Sequence, residues 1–281
     1  MRTAWRLIKR SVCAFIEDEA LTRGAAIAFY AATSIAPLLL IVISIAGIVF
    51  GREASQGAVI DQLSGLMGEQ TAEFLQTTLA NASNTETGIL ATIIGLVTLI
   101  ATASGVFGEM QSALNVIWKV EPTGTTVSRL IRARAASLGL VGTLAFLLVI
   151  SLVMSAGITA FGGYLNAVLP FGELVLSAVN TFVSFGLLSL VFAAIYKVLP
   201  DRPLTWRDVA LGAVITALLF TIGKSLIGWY IGSSAIASTY GAAGSLIVFL
   251  LWVYYSVQIF LFGAEITKAF TQRETHSDPL R

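Results

Sequence analysis

The sequence predicts an all-α polytopic integral membrane protein with six transmembrane helices, both termini in the cytoplasm and an N-terminal amphipathic helix at the interface. Three observations carry this expectation. Of 281 residues, 56% are hydrophobic and 12% are charged, about half the charged fraction of a soluble domain, so water cannot be the only solvent. Charge is absent from long runs: Gly24–Gly51, Thr87–Gly108, Ala135–Gly172, Leu174–Tyr196, Val209–Gly223 and Ser225–Ala264. The Lys and Arg residues that punctuate these runs alternate in abundance from one connection to the next.

About 20 apolar residues in a helix cross a roughly 30 Å hydrocarbon core. Spans are therefore placed near 25–50, 89–108, 136–160, 174–197, 209–231 and 245–265. The run 225–264 is too long for one crossing. Its middle, Gly232 to Gly244, is rich in Gly, Ser and Ala and reads as the turn between spans five and six. The resulting division is an interfacial helix over 1–22, a membrane domain over 23–270 and a polar cytoplasmic tail over 271–281.

Orientation follows from the excess of Lys and Arg in cytoplasmic connections. Fifteen of the seventeen fall on one side: Arg2, Arg6, Lys9, Arg10 and Arg23; Lys119, Arg129, Arg132 and Arg134; Lys197, Arg202 and Arg207; Lys268, Arg273 and Arg281. Arg52 alone is placed opposite, and Lys224 falls within a span. The first apolar run is too long for the core of a cleavable signal and is expected to act as an uncleaved signal-anchor.

Residues 1–20 place Trp5, Ile8, Val12, Phe15 and Ile16 at helical spacing with Arg2, Arg6, Lys9 and Arg10 between them. This pattern suits the headgroup region of an anionic leaflet, making membrane lipids the expected partner. Segment 52–86 is the one sizeable extracytoplasmic piece. Val59, Leu63, Leu66 and Met67 suggest one amphipathic helix, and Phe74, Leu75 and Leu79 a second, with a break near Gly65 and Gly68. Capping of the bundle is the expected role, and docking of an envelope protein is the alternative.

One histidine, His276 in the tail, and one cysteine, Cys13, remove most metal-site and triad chemistry. A net charge of +1 gives no reason to expect a nucleic-acid partner. No cofactor, metal site or catalytic site is predicted. Gly223-Lys224-Ser225 resembles the end of a phosphate-binding loop, but Leu218 stands where a glycine is required and the flanks are continuous apolar helix. The sequence does not fix the oligomeric state.

Within the membrane, Lys224 stands out. It lies about 15 residues, roughly 22 Å, along helix five from its predicted cytoplasmic boundary. Charged residues at depth usually face the bundle or a wet cavity, although a lysine can also snorkel to nearby headgroups. Thr221 and Gly228, one turn away on either side, belong to a stripe of small residues with Ala213 and Ala217. Ser177, Asn180, Thr181 and Ser184 make a polar stripe on the outer half of helix four, at the depth of Lys224. These residues sketch an outward-opening pocket for a phosphate or carboxylate. Pro37 interrupts the hydrogen bonding of helix one at the Thr33 carbonyl; with Gly241 and Gly244 it completes the set of kink or gate positions. Glu109 and Glu265, near the cytoplasmic ends of helices two and six, are candidate coupling acids or partners of Lys119, Lys197 or Lys268.

Several blocks resemble a known family. They are Gly24-Ala25-Ala26-Ile27-Ala28-Phe29-Tyr30 with Ser34 and Pro37, Ser104-Gly105-Val106-Phe107 with Leu114-Asn115-Val116-Ile117-Trp118, and Tyr240 to Val248 with Leu251-Trp252-Val253-Tyr254 and Gly263-Ala264-Glu265. In this order, across roughly 10–270, they resemble the YihY/BrkB family of bacterial inner-membrane proteins. The resemblance implies a six-helix fold and a link to envelope integrity, serum resistance or lipid and solute export. Some members carry the name ribonuclease BN. The single tail histidine and the lack of an acidic metal cluster or extended basic platform argue against that activity here.

Overall fold

The computed structural model describes residues 2–51, 56, 57, 59–61, 63, 64, 72, 74–77, 80, 105–120, 172–233 and 244–277. Every regular element among them is helical. We label them α1 (Arg2–Glu17), α2 (Ala20–Phe50), α3 (105–117), α4 (Gly172–Val198), α5 (Trp206–Ser233) and α6 (Gly244–Ser277). Three stretches are long and apolar enough to cross a bilayer among the described residues: Thr181–Val198, Trp206–Ile231 and Leu246–Thr271. The span expected near 136–160, most of that near 89–108, and Gly241 lie outside the described residues.

Neighbouring helices run antiparallel. On α2 and α6, Gly24 meets Gln258, while Leu39 and Ile43 share a cluster with Phe249. On α4 and α5, Tyr196 meets Thr216 and Phe192 meets Phe220. On α5 and α6, Gly212 meets Thr267 and Gly223 meets Tyr255 and Ile259. Because α3 approaches α2 with Gly105 against Tyr30 and Glu109 against Arg23, it too is antiparallel to its partner. Residues 20, 117, 198, 206 and 268 consequently gather at one end of the bundle. Lys119, Lys197, Arg202, Arg207 and Lys268 are there, and we call it the basic end.

Two packed clusters mark the two ends. Near the basic end, Leu114, Ile117, Trp118, Ile195, Tyr196, Leu199, Val209, Ala213, Leu261 and Ala264 form a core with Ala20. Towards the other end, Leu39, Ile43 and Phe249 enclose Leu75, with Val59, Ile60, Leu63 and Phe74 packed around them. Described residues of the 52–86 segment thus lie on α2 and α6, with Ala72 and Leu75 buried and Asp61, Gln76 and Thr77 exposed.

Close approach of α5 and α6 depends on a reciprocal pattern. Each helix carries Gly and Thr four residues apart, Gly212 with Thr216 and Gly263 with Thr267. A Cβ on either glycine would overlap the threonine of the other helix. Each threonine hydroxyl donates to the glycine carbonyl of its own helix at 2.7 Å, so the contact leaves no hydroxyl unpaired. Small residues let backbones meet in a membrane, where apolar surface alone does not favour helix over lipid. Beside this contact the Tyr196 hydroxyl donates to the Phe260 carbonyl at 2.6 Å and lies 3.0 Å from Thr216 Oγ1.

Helix ends at the basic end are closed locally. Asp208 Oδ2 accepts from the Thr205 amide at 2.7 Å and Thr205 Oγ1 from the Asp208 amide at 3.4 Å, a reciprocal cap that starts α5. At the end of α3, Lys119 takes φ +53° and its amide donates to Val116, while Val120 donates to Asn115; this is the Schellman arrangement with a lysine where glycine is usual. Glu19 has φ +53° between α1 and α2, a conformation costing a side-chain-bearing residue about 1–3 kcal/mol. Glu19 is exposed. Glu19→Gly is expected to raise stability by about 1 kcal/mol, read as a higher melting temperature of the detergent-solubilised protein.

Candidate functional site

The first candidate region is the basic end, where α1 is held against the bundle. This helix is three-sided. Ser11, Ala14, Phe15 and Asp18 turn inward: Ser11 and Asp18 are buried, and Phe15 meets Phe262 edge-on at 5.8 Å. Trp5, Ile8, Val12 and Ile16 form an apolar stripe that stays exposed, 69% for Trp5 and 65% for Ile16. Arg6, Lys9, Arg10 and Glu17 occupy the remaining arc, all exposed.

Asp18 anchors the turn that follows. Its carboxylate, 3% exposed, pairs with Lys119 beyond α3 and with Lys268 of α6 at 3.6 Å. Lys268 also pairs with Glu265 at 3.6 Å, and the Asp18 and Glu265 carboxyl groups lie within hydrogen-bonding reach of one another. Four charges from three separate segments therefore meet in a largely buried cluster. Arg23, at the start of α2, extends it by donating to the Asp18 carbonyl at 3.2 Å, Glu109 at 3.4 Å and Ser112 at 3.3 Å.

A second polar clamp lies on the far side of α3. Asn115 Nδ2 donates to Asp201 Oδ2 at 2.8 Å, its Oδ1 accepts the Asp201 amide at 2.8 Å, and Gln111 donates to Asp201 Oδ1 at 3.2 Å. The α4–α5 connection is thereby fixed to α3. Lys197 sits 4.5 Å above the Trp206 ring at the same connection, an attraction between cation and aromatic face.

The sequence-derived acids divide between these arrangements. Glu109 is half-buried and its partner is Arg23; Glu265 is buried and its partner is Lys268. Asp18, the hub of the cluster, does not figure among the sequence candidates. In the chain it is one of three consecutive acids, Glu17-Asp18-Glu19, and the fold brings Lys119 and Lys268 to it.

The second candidate region surrounds Lys224 on α5. This lysine is half-buried, and Gly223 beside it is buried against Ile259 and Tyr255. No ion-pair partner for Lys224 exists among the described residues. Thr221 is half-buried and donates to the Ala217 carbonyl at 2.7 Å. Thr181 and Ser184 are exposed on α4, while the side chains of Ser177 and Asn180 lie outside the described residues. Helix α2 is continuous through Pro37, and the Thr33 hydroxyl donates back to the Tyr30 carbonyl at 2.9 Å. Gly244, the first residue of α6, is buried. Among the described residues no group of three His, Cys, Asp or Glu side chains is arranged to hold a metal ion.

Long apolar helices, small-residue interfaces and a set of charges gathered at one end define the class: a multi-pass α-helical membrane protein. The chain belongs to the virulence factor BrkB family, whose model matches residues 12–281. It is 27% identical over 260 residues to a UPF0761 membrane protein of Mannheimia succiniciproducens, covering 91% of this chain and 86% of that one. It is 30% identical over 207 residues to one of Pasteurella multocida, covering 73% and 59%. To one of Ralstonia nicotianae it is 33% identical over 177 residues, covering 62% and 38%. Some relatives thus extend well beyond the matched region. No solved structure matches the chain. The names of the family and of these relatives carry no enzymatic assignment.

Proposed function

We propose that this protein is a transporter or translocator of an anionic lipid or solute, serving the bacterial envelope through a polar pocket that includes Lys224. The observation that carries the reading is a half-buried lysine within an apolar span, without an ion-pair partner among the described residues. A charged group at that depth is costly unless an anion or water meets it. Thr221 on α5 and the exposed Thr181 and Ser184 on α4 supply hydroxyls along the same stretch of the bundle.

In this reading six spans place both termini in the cytoplasm, with the basic end on that side. The exposed stripe of α1 rests in the inner leaflet, and Arg6, Lys9 and Arg10 beside it favour anionic headgroups. Reporters fused near residues 75 and 125 are expected to report opposite sides of the membrane; the same side for both sinks this topology.

Lys224→Met tests the pocket. Co-purified anionic lipid, measured by native mass spectrometry, is expected to fall about tenfold with protein abundance unchanged, which corresponds to about 1.4 kcal/mol. Unchanged lipid retention and unchanged export would remove the pocket from the account. The alternative is a non-transporting envelope scaffold, and the exposed Asp61, Gln76 and Thr77 are the positions such a partner would touch.

A further inference from the structure

The carboxyl groups of Asp18 and Glu265 meet where the turn after α1 rests on α6. Their side chains are 3% and 1% exposed, and each group lies 3.6 Å from the Lys268 ammonium. Asp18 Oδ2 and Glu265 Oε1 are buried and accept no hydrogen bond among the described residues, although the two groups are within hydrogen-bonding reach of one another. Ionised carboxyl groups only accept, so two in contact leave both oxygens bare and repel. One proton between them makes one group the donor that the other lacks, the arrangement two adjacent carboxyl groups adopt when both cannot ionise. The single charge that remains is matched by Lys268, the cation both groups share.

The neighbouring donors are engaged elsewhere. Lys119, beyond α3, pairs with the other Asp18 oxygen, Oδ1. Lys268 stands 3.6 Å from Asp18 Oδ2 and from Glu265 Oε2, too far for a hydrogen bond to either. From α2, Arg23 donates to the Asp18 carbonyl and to Glu109 and Ser112 of α3. Buried polar atoms are rarely left unpaired, because each forfeits its hydration without compensation, and a shared proton pairs both oxygens at once. Glu265 and Lys268 also line an open cavity of about 300 Å³ with Lys119 and with Arg10, Ser11 and Glu17 of α1. That cavity joins the buried pair to water.

We propose that Asp18 and Glu265 share one proton and together form a pH-controlled latch between α1 and α6. With the proton in place, the pair closes the turn onto α6. When the proton leaves through the cavity to bulk water, two carboxylates face one another, and α1 swings away with the Phe15 ring that meets Phe262. Linkage fixes the sign. Once separated, each carboxyl group meets water and gives up its proton near the ordinary value of about 4, whereas the docked pair retains one. Docking therefore takes up a proton, strengthens as pH falls and weakens as pH rises, by at most about tenfold per pH unit for one proton. Lysine and arginine ordinarily keep their charge below about pH 10, so the cations of the cluster hold constant while the pair changes. The remaining acids nearby are Glu17, exposed on α1, and Glu109, paired with Arg23. The latch does not rest on the Lys224 pocket.

The test uses the full chain reconstituted in lipid nanodiscs. Spin labels are placed at two exposed positions, Lys9→Cys on α1 and Ala210→Cys on α5, with the exposed Cys13 replaced by Ser. Distance distributions taken from about pH 5 to about pH 9 give the ratio of docked to released α1. This ratio is expected to fall by up to about tenfold per pH unit over part of the range. Infrared difference spectra of the unlabelled protein should lose a protonated-carboxyl C=O band over the same interval. Glu265→Gln gives Asp18 a permanent amide donor, so α1 should stay docked at every pH and that band should be absent. Asp18→Asn offers the same amide from the other side and carries the same expectation. Glu17→Gln and Lys224→Met are expected to keep the profile of the unsubstituted pair. A docked fraction that does not change with pH overturns the latch, and so does an unaltered profile in Glu265→Gln or Asp18→Asn. The infrared band requires no substitution, and its absence overturns the shared proton even if neither amide variant folds. Loss of the Lys224 pocket with the pH profile retained defeats the transport reading alone.

Discussion

Gly263→Val is expected to destabilise the protein by about 3 kcal/mol or more, at or above the top of the usual range for overpacking. A side chain at Gly263 overlaps Thr216 Oγ1 and comes within 2.6 Å of the Tyr196 hydroxyl. Those two groups form the buried node that links α4, α5 and the Phe260 carbonyl of α6. Relief by rotation of a surface side chain is not available, because Thr216 and Tyr196 are both fully buried. The substitution must therefore separate α5 from α6 or break the node, and in a membrane the separated faces gain no hydrophobic drive to return. Thermal unfolding followed by size-exclusion chromatography in detergent reads the loss. Gly228→Ala is the internal comparison: its Cβ meets nothing within 4 Å, so stability is expected to hold or to rise by about 0.5–1 kcal/mol from helix propensity. A second check is coupling. Gly263→Ala should be less damaging when combined with Thr216→Ala, which removes the overlapped oxygen. Equal damage in both backgrounds would show that the contact is not the cause.

That interface also shows how much of the fold the sequence made legible. The absence of charge located the apolar runs that become α2, α4, α5 and α6, because a charged side chain in hydrocarbon is costly wherever it falls. Which small residues form contacts was less legible. Ala213 and Ala217 are buried as their stripe suggests, but Gly228 of the same stripe has nothing near it, while Gly212 and Gly263 make the closest approaches. A small residue only permits approach; the partner helix decides whether it is used. The length of α6 was hidden for a related reason. Its apolar run ends at Ala264, yet the helix continues to Ser277, because Glu265 and Lys268 are accommodated by the Asp18 turn instead of by water. That turn depends on pairs far apart in sequence, Asp18 with Lys119 and with Lys268. No local periodicity reports such pairs. The exposed apolar stripe of α1 was legible as amphipathic pattern, whereas its third, inward face of Ser11, Ala14 and Asp18 looks in sequence like part of the polar side.

Lys268→Met is expected to cost about 3–5 kcal/mol, the range found when one partner of a buried ion pair is removed. Two buried carboxylates depend on it. Asp18 is 3% and Glu265 1% exposed at the side chain, and Lys268, itself 12% exposed, is the cation they share. Without it, Glu265 keeps no ion-pair partner among the described residues, and Asp18 keeps only Lys119, whose side chain is 61% exposed and correspondingly screened. Lys119→Met should therefore cost much less, about 1 kcal/mol or below. The difference between the two lysines is the prediction, because net charge changes equally in both. Adding Glu265→Gln to Lys268→Met should recover part of the loss, since it removes a buried charge that no longer has compensation. Melting temperatures of the four proteins in one detergent, at one pH and salt concentration, decide the matter. If both lysine substitutions cost the same, or if Glu265→Gln deepens the loss caused by Lys268→Met, then Lys268 does not hold α1 to α6 in the way its geometry indicates.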